Sequence, residues 1–418
     1  MQEANARTLK RTRDQQTRAT RDALMKAALR VVSQYGYAKA SVSRITEAAG
    51  VALGTFYTYF DTHRQLLDEL LPSEGVQLLN VLGKEAQGSS DYFEHERRAF
   101  LSFFKYLRRN PYFFRVLTEA EIAAPASYAQ HMSNIEERYL AALRRAGNHQ
   151  QIRNQTDKSF RVIAEVLSGS RGHIAIGLKE QAHNNKSKLT PEGAADAYVK
   201  FIRIGLGEKS IAEFKVKSNR LKPLIQKPAN TRTILLRTTA KLVHENGYEA
   251  TTIAGITRAA DCAVGTFYAH FPSRQRLLDE LLVYVRTEMI DYVREAIRGS
   301  KSFLEVEQRG FVAFFDYLWE NPYYIRVETA SALWAPESYA RHFNDLTERY
   351  VAAMRRSKAE GQLCDYEDRE LSVLAFIFMA ARHYLSTRYI LPSGSSTRLP
   401  ASATRAYLDL VRRGLQRE

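Results

Sequence analysis

Two short segments of this sequence carry side chains whose type and spacing indicate a chemical task. SVSRITEAAGVALGTFYTYF occupies 41–60, and TTIAGITRAADCAVGTFYAHF occupies 251–271. They share hydroxyl groups at matching places, namely Thr55 and Tyr57 in the first and Thr266 and Tyr268 in the second. Hydroxyl groups on a helix that faces a nucleic acid hydrogen-bond to phosphate oxygens. The pattern therefore indicates phosphate recognition.

No pattern in the sequence indicates catalysis. The motifs HExxH and GxSxG and the phosphate-binding loop are absent, and no carboxylate pair shares a predicted face with an acid-base partner. The ten histidines lack metal-ligand spacing. The two cysteines, Cys262 and Cys364, are too few for a zinc cluster or a disulfide framework. We expect no catalytic residue, no metal site and no cofactor.

The charge balance favours a polyanionic partner. Lys and Arg number 61 against 46 Asp and Glu, which gives a net charge of +15. The sequence shows neither an apolar run of membrane-spanning length nor the apolar core of a signal peptide near its start. We therefore expect a cytoplasmic protein without a membrane partner. Charge alone would be equally consistent with a solvated surface.

The two segments belong to a duplication of a whole domain. Ser41 pairs with Thr252 at an offset of 211 residues, and the same offset relates Arg171 to Arg382. Only near the end does the register slip, where Tyr198 pairs with Tyr407. Because a repeated unit is one structural unit, the duplication predicts two similar domains in one chain.

The elements that position these residues are predicted to be helices. Apolar residues recur at helical spacing, and strand alternation and hairpin signals are missing, so the sequence predicts an all-α fold. The last helices of each repeat carry broad apolar faces, and we expect them to pack together within the chain as a four-helix interface. The predicted organisation is a flexible basic arm at 1–22, helix-turn-helix domains at 23–70 and 231–282, helical effector or interface domains at 71–207 and 283–418, and a basic linker at 208–230.

Each segment reads as a helix-turn-helix. In the first copy the turn is Ala49-Gly50-Val51, after which Phe56 and Phe60 fall on the buried side of a short helix with few charges. The small residues at the start of that helix would let it approach the major groove closely. In the second copy Asp261 replaces Gly50, so we expect a strained turn there.

This pattern resembles the TetR family of bacterial transcriptional regulators. The resemblance is met twice and covers most of the chain. It rests on this order of residues: an N-capping Ser or Thr, Ile, Ala-Ala-Gly-Val, Gly-Thr-Phe-Tyr, Tyr or His before Phe, and then Leu-Leu. The resemblance implies three DNA-binding helices, a helical domain for a small effector, and dimerisation through the last two helices. In a fused pair it implies an intramolecular pseudo-dimer, so we expect a monomer with internal pseudo-twofold symmetry.

The resemblance and the basic arm together predict the DNA-binding residues. Arg44 lies where the family often contacts DNA, whereas Gly255 at the equivalent position cannot make that contact. The predicted set in the first copy is Arg18, Arg21, Ser41, Arg44, Leu53, Gly54, Thr55, Tyr57, Tyr59, His63 and Arg64. The predicted set in the second copy is Arg232, Thr252, Val264, Gly265, Thr266, Tyr268, His270 and Arg274. The partner is double-stranded operator DNA.

The effector residues are predicted from aromatic and basic residues that recur in both copies. They are Phe103, Tyr106, Tyr112, His131 and Arg171 in the first copy and Phe314, Tyr317, Tyr323, His342 and Arg382 in the second. The aromatic residues either pack in the core or line a pocket for a small apolar or aromatic effector. The arginines and histidines either meet an anionic head group or form surface ion pairs.

The sequence thus predicts a DNA-binding transcriptional regulator that is a ligand-responsive repressor acting on an imperfect inverted repeat. Two alternatives remain open. One is a DNA-binding activator or architectural protein without an effector, and the other is a helical enzyme or adaptor whose DNA-binding heads are idle.

Overall fold

The computed structural model describes residues 2–183, 189–208, 230–391 and 398–416. Eighteen α-helices and one 3-10 helix, Tyr37–Lys39, form the regular structure of these residues, apart from one isolated bridge between Leu363 and Gln416. The predicted all-α fold is confirmed. The predicted linker 208–230 lies almost wholly outside the described residues.

Nine α-helices form the first repeat. They are α1 (Gln2–Tyr35), α2 (Val42–Ala49), α3 (Leu53–Tyr59), α4 (His63–Glu85), α5 (Tyr92–Arg109), α6 (Pro111–Ala123), α7 (Pro125–Asn148), α8 (Asp157–His183) and α9 (Pro191–Leu206). The same order recurs in the second repeat as α10 (Thr231–Ala250), α11 (Ile253–Ala259), α12 (Val264–His270), α13 (Arg274–Ala296), α14 (Phe303–Glu320), α15 (Tyr323–Trp334), α16 (Pro336–Ala359), α17 (Leu371–Tyr389) and α18 (Ala401–Leu415). The duplication predicted from sequence is therefore a duplication of structure.

Helix α1 includes the predicted N-terminal arm. Residues 1–22 were expected to be flexible, but the helix extends from Gln2 without a break to Tyr35. The segment contains neither Pro nor Gly and is rich in Arg, Ala and Gln, all of which favour helix. This propensity accounts for the helix, and the flexibility of the arm remains a prediction.

The chain divides into two compact units. One comprises Met1–Gly88 and Arg98–Ile135, and the other comprises Ser89–Arg97 and Glu136–Glu418. In the first unit, α1 packs against α2, α4 and α6. The second unit contains the last two helices of the first repeat together with the whole second repeat.

Within the second unit, α8, α9, α17 and α18 pack together as the expected four-helix interface. Glycines allow the closest approaches. A Cβ atom on Gly205 would lie 2.7 Å from Leu410 Cδ1, and one on Gly414 would lie 2.5 Å from Phe201 Cε2. Since Gly205 is equivalent to Gly414 and Phe201 to Leu410, this contact is reciprocal. The last helices of the two repeats thus cover each other within one chain.

Candidate nucleic-acid interface and effector cavity

The turn of each helix-turn-helix uses left-handed backbone. Gly50 ends α2 with φ 69°. The equivalent Asp261 adopts φ 51°, a conformation that costs energy for a residue with a Cβ atom, although Asp tolerates it better than most. The strained turn expected at Asp261 is thus observed. It keeps α12 in the orientation that the glycine gives α3, since Ala52 and Ala263 then begin the next helix with nearly identical extended backbone.

The second helix of the motif has one buried and one exposed face in both copies. Phe56 and Phe60 in α3, like Phe267 and Phe271 in α12, are at most 1% exposed. On the other face the exposed fractions are 54% for Leu53, 57% for Tyr57, 48% for Val264 and 55% for Tyr268. Large side chains that are exposed to solvent at matching places in both copies are typical of a surface that binds another molecule.

Small and half-buried residues complete these faces. Gly54 and Gly265 are exposed, and a Cβ atom on either would meet nothing within 4 Å. Four predicted contact residues are half-buried, namely Thr55, Tyr59, Thr266 and His270. The absence of bulk beside Leu53 and Val264 leaves room for a groove edge to come close to the helix backbone.

The capping hydroxyl groups are exposed at the start of the motif. Ser41 Oγ accepts a hydrogen bond from Arg44 N at 3.4 Å, and Thr252 Oγ1 accepts one from Gly255 N at 3.1 Å. Accepting through oxygen leaves the hydroxyl proton of each side chain free to be donated to a phosphate. A capping role and a phosphate contact are therefore compatible at both positions.

The basic residues of the heads are positioned by protein groups. Arg44 Nη1 donates to Lys39 O at 2.8 Å, and its guanidinium lies 4.8 Å from the Tyr35 ring centre. His63 contacts Ala40 O through Nε2, whereas Arg274 at the equivalent position stacks on Tyr248 at 4.3 Å. Arg64 pairs with Asp68 at 2.8 Å. Exposed pairs of this kind exchange partners at little cost, so Arg64 remains available to phosphate.

Arg21 and Arg232 occupy a more constrained position than the sequence suggests. Arg21 pairs with Glu69 and lies over Phe60 at 4.9 Å. Arg232 repeats this arrangement with Glu280 and Phe271, at 4.8 Å from the ring. Each arginine thereby braces the first helix of its head against the end of the recognition helix. Sequence reasoning missed the two glutamates, although they share the 211-residue offset. Arg18, by contrast, is exposed on α1.

Four of the predicted effector residues lie in the first unit. Phe103, Tyr106 and His131 are buried, and Tyr112 is half-buried with its hydroxyl donating to Asn110 Oδ1 at 2.9 Å. Tyr106 OH donates to Glu74 Oε2 at 3.3 Å. Burial lowers the pKa of His131 to about 4, so this imidazole is neutral at pH 7.

A cavity of about 430 Å³ lies in the second repeat. Of the residues predicted for effector binding there, Phe314, His342 and Arg382 line it, whereas Tyr317 and Tyr323 do not. Met289, Phe343, Tyr350 and Met379 supply much of the remaining wall, and His173 of α8 contributes to it as well. The volume and apolar lining match those of small-molecule sites.

The recurring arginines form buried ion pairs. Arg171 Nη2 lies 2.8 Å from Glu96 Oε2, and Arg382 binds both oxygens of Glu307 at 2.8 and 3.1 Å. Tyr198 and Tyr407 donate to the same carboxylates. The arginines therefore form ion pairs, as one alternative expected, but these pairs are buried and do not lie on the surface. Their partners lie 75 residues upstream and face inward.

The charges within each of these pairs compensate each other. Burial lowers the pKa of Arg382, but the Glu307 carboxylate and the hydroxyls of Tyr350 and Tyr407 outweigh it and raise the pKa overall. Removing one partner of such a pair typically costs about 3–5 kcal/mol, because a buried charge is left alone. Arg382 therefore adds no uncompensated charge to the cavity that it lines.

No helix among the described residues is long and apolar enough to span a membrane.

The two helix-turn-helix domains resemble domains of known proteins. The family model described as bacterial regulatory proteins, tetR family, matches residues 24–70 and 235–281. The uncharacterized HTH-type transcriptional regulator YvdT of Bacillus subtilis is 32% identical over 78 residues, which are 19% of this chain and 40% of that protein. The HTH-type transcriptional repressor KstR2 of Rhodococcus jostii is 27% identical over 190 residues, which are 44% of this chain and 90% of that repressor.

Solved structures show the same similarity at low identity. The ketosteroid transcriptional regulator KstR2 of Mycobacterium tuberculosis is 24% identical, with a TM-score of 0.35. The match covers 46% of this chain and 98% of that one.

Proposed function

Because this chain belongs to the TetR family and carries its DNA-binding unit twice, we propose that it is a transcriptional regulator whose two heads read one operator. The observation that carries the proposal is the recurrence of the same exposed face on α3 and α12. Helix-turn-helix proteins usually obtain two such faces by dimerising. Here one polypeptide supplies both.

The two heads are not equivalent, so the operator is an imperfect inverted repeat. Arg44 faces solvent near the start of α2, while Gly255 offers no side chain at that place. Tyr59 is likewise matched by His270. Half-site centres for paired helix-turn-helix units lie about 34–36 Å apart or in multiples of one turn. We expect each half-site to be matched to one head.

The cavity of the second repeat supports repression that responds to a small effector, and its lining favours an apolar or aromatic molecule. Repression requires DNA binding by the free protein. An effector that binds better to a conformation unsuited to the operator would release DNA by shifting the population of states.

Selection of genomic fragments by the full chain, followed by footprinting, tests operator binding directly. On the selected site, Tyr57→Phe and Tyr268→Phe should each weaken binding by about tenfold, the cost of a lost hydrogen bond to a charged phosphate. Tyr37→Phe is a matched control, because its hydroxyl is buried in the first unit and has no hydrogen-bond partner there. Full affinity in the double variant would refute the proposed reading face.

Operator symmetry gives a second test. Replacing either half-site by a copy of the other should weaken binding, because one head would then meet the wrong sequence. Unchanged or tighter binding to both symmetric sites would show that the heads are equivalent.

A further inference from the structure

The second repeat contains a buried arginine with no ion-pair partner within 4 Å among the described residues. Arg286 on α13 is 7% exposed and forms no ion pair among the described residues. Its Nη1 donates to Ser338 O at 3.2 Å, while Nε and Nη2 are buried without a hydrogen-bond partner. Burial lowers the pKa of Arg286 to about 10, so the group still carries its charge at pH 7. A buried cation without a directly paired carboxylate is costly, which makes this position unusual.

The two unpartnered donors have the geometry of an anion fork. Nε and Nη2 lie on one edge of the planar guanidinium, so their N–H bonds point in the same direction. A carboxylate accepts such a pair of parallel hydrogen bonds through its two oxygens. The bond from Nη1 to Ser338 fixes the opposite side of the group and holds this edge in place.

Arg286 lies beside the cavity. Among the groups that act on its charge, Tyr324, Glu328 and Tyr339 line the cavity. Asp345, which also acts on it, is exposed. His342 lines the cavity as well, and its buried Nε2 has no hydrogen-bond partner. Arg286 itself does not line the cavity but lies behind these residues, so its guanidinium fork and the His342 ring nitrogen are unmet hydrogen-bonding groups at one part of a largely apolar chamber.

The first repeat lacks this device. Gly75 is equivalent to Arg286, and a Cβ atom there would lie 2.1 Å from His131 Nδ1, so the imidazole leaves no room for a side chain. The preceding residue is Glu74, a buried acid whose pKa burial raises. The two repeats therefore differ in the sign of the ionisable group that they bury at this point of the equivalent helices.

We propose that the cavity of the second repeat binds an apolar carboxylate whose head group pairs with Arg286 and His342 and whose body fills the apolar chamber. The inference deepens the proposed function by naming the effector class, and it rests on that function only for the consequence at DNA. One carboxylate binds per chain, because the first repeat carries no equivalent arginine.

Titration calorimetry of the full chain without DNA tests the site, with decanoate and 1-decanol as probes below their aggregation limits. Decanoate should bind with a stoichiometry of one, and 1-decanol should bind at least tenfold more weakly. Arg286→Met should weaken decanoate binding by roughly 10- to 100-fold, as expected for hydrogen bonds to a charged group. Arg294→Gln is the control, because Arg294 lines the cavity directly but is exposed and paired with Asp291.

Thermal unfolding separates a lost site from a lost fold. Arg286→Met should melt no lower than the wild-type chain, since it removes a buried charge that is in no ion pair. If it fails to fold, Arg286→Lys keeps the charge without the fork and should retain only part of the affinity. Absence of decanoate binding, equal binding of the two probes, or unchanged binding by a folded Arg286 variant would each overturn the proposal.

Operator binding, measured separately, distinguishes the two proposals. Decanoate should weaken operator binding of the wild-type chain and leave that of Arg286→Met unchanged. If the carboxylate binds but does not change operator binding, the proposed site is supported and effector-responsive repression is refuted. If the wild-type chain does not bind DNA at all, the proposed function is refuted, whereas the calorimetric evidence for the site is unaffected.

Discussion

Individual residues of the heads show where sequence reasoning succeeds. The 3.6-residue period separates Phe56 from Tyr57, and the structure buries the first and exposes the second. The same reasoning did not predict the ion pair of Arg21, because a charge count cannot reveal that Glu69, 48 residues away, lies within pairing distance. Periodicity identifies the face on which a residue lies, whereas ion pairs between distant helices depend on tertiary packing.

Buried histidine makes stability depend on pH at the residue scale. The ordinary pKa of histidine is near 6.5, and burial lowers that of His131 to about 4. Between these two pH values, His131 binds a proton in the unfolded chain but not in the folded chain. The free energy of unfolding therefore falls as pH drops from about 6.5 to about 4, by up to roughly 3 kcal/mol for this residue.

We expect His131→Gln to remove most of this acid sensitivity. Urea unfolding of the wild-type and variant chains at pH 7 and pH 4.5 measures it, and the loss of stability on acidification should be about 2–3 kcal/mol smaller in the variant. His149→Gln is the control, since His149 is exposed. A variant that loses as much stability as the wild-type chain would show that His131 is accessible to protons in the folded state.

At the element scale, caps and breakers predicted where helices begin. Ser41 and Thr252 cap α2 and α11 as expected. Helix propensity extends α1 through a segment whose sequence has no apolar face, which the apolar pattern alone does not predict. The interface helices were recognised by their broad apolar faces, but their contacts depend on individual glycines that sequence pattern does not distinguish.

Two of the three glycines of helix α8 have opposite expected responses to substitution. A Cβ atom on Gly169 would lie 2.0 Å from Tyr384 Cδ2, whereas one on Gly172 would lie 3.6 Å from Tyr384 Oη, an ordinary contact. Gly169→Ala should destabilise the chain by about 1–3 kcal/mol through overpacking. Gly172→Ala should be neutral or stabilise it by up to about 1 kcal/mol, because alanine favours helix. Denaturant midpoints measure both, and equal responses would contradict the close packing of α8 on α17.

At the scale of the whole molecule, the internal interface predicts the assembly state. Helices α8, α9, α17 and α18 cover one another within the second unit, so the surface that would join two chains is already used. Light scattering during size exclusion should give a mass near 47.7 kDa. A dominant species of twice that mass would show that the repeats of different chains pair with each other, or that another surface associates.

The N-terminal basic segment makes the two halves of the molecule unequal toward DNA. Helix α1 extends to Gln2, and Arg18 is exposed on it, whereas the second repeat begins its first helix at Thr231. The arm carries Arg7, Lys10, Arg11 and Arg13 before that point. Each phosphate contact contributes about 0.9 to the slope of log binding constant against log salt.

Deleting residues 1–17 should therefore weaken binding to all sequences and reduce that slope by about one to two units. Replacing Arg7, Lys10, Arg11 and Arg13 by Gln is the matched variant, because it removes the same charges and keeps a helix-forming sequence. Both variants should give the same slope if charge is the cause. Titrations of labelled operator between 50 and 200 mM salt measure it, a range over which phosphate contacts change affinity strongly. A full slope in both variants would mean that the extended helix only solubilises the chain.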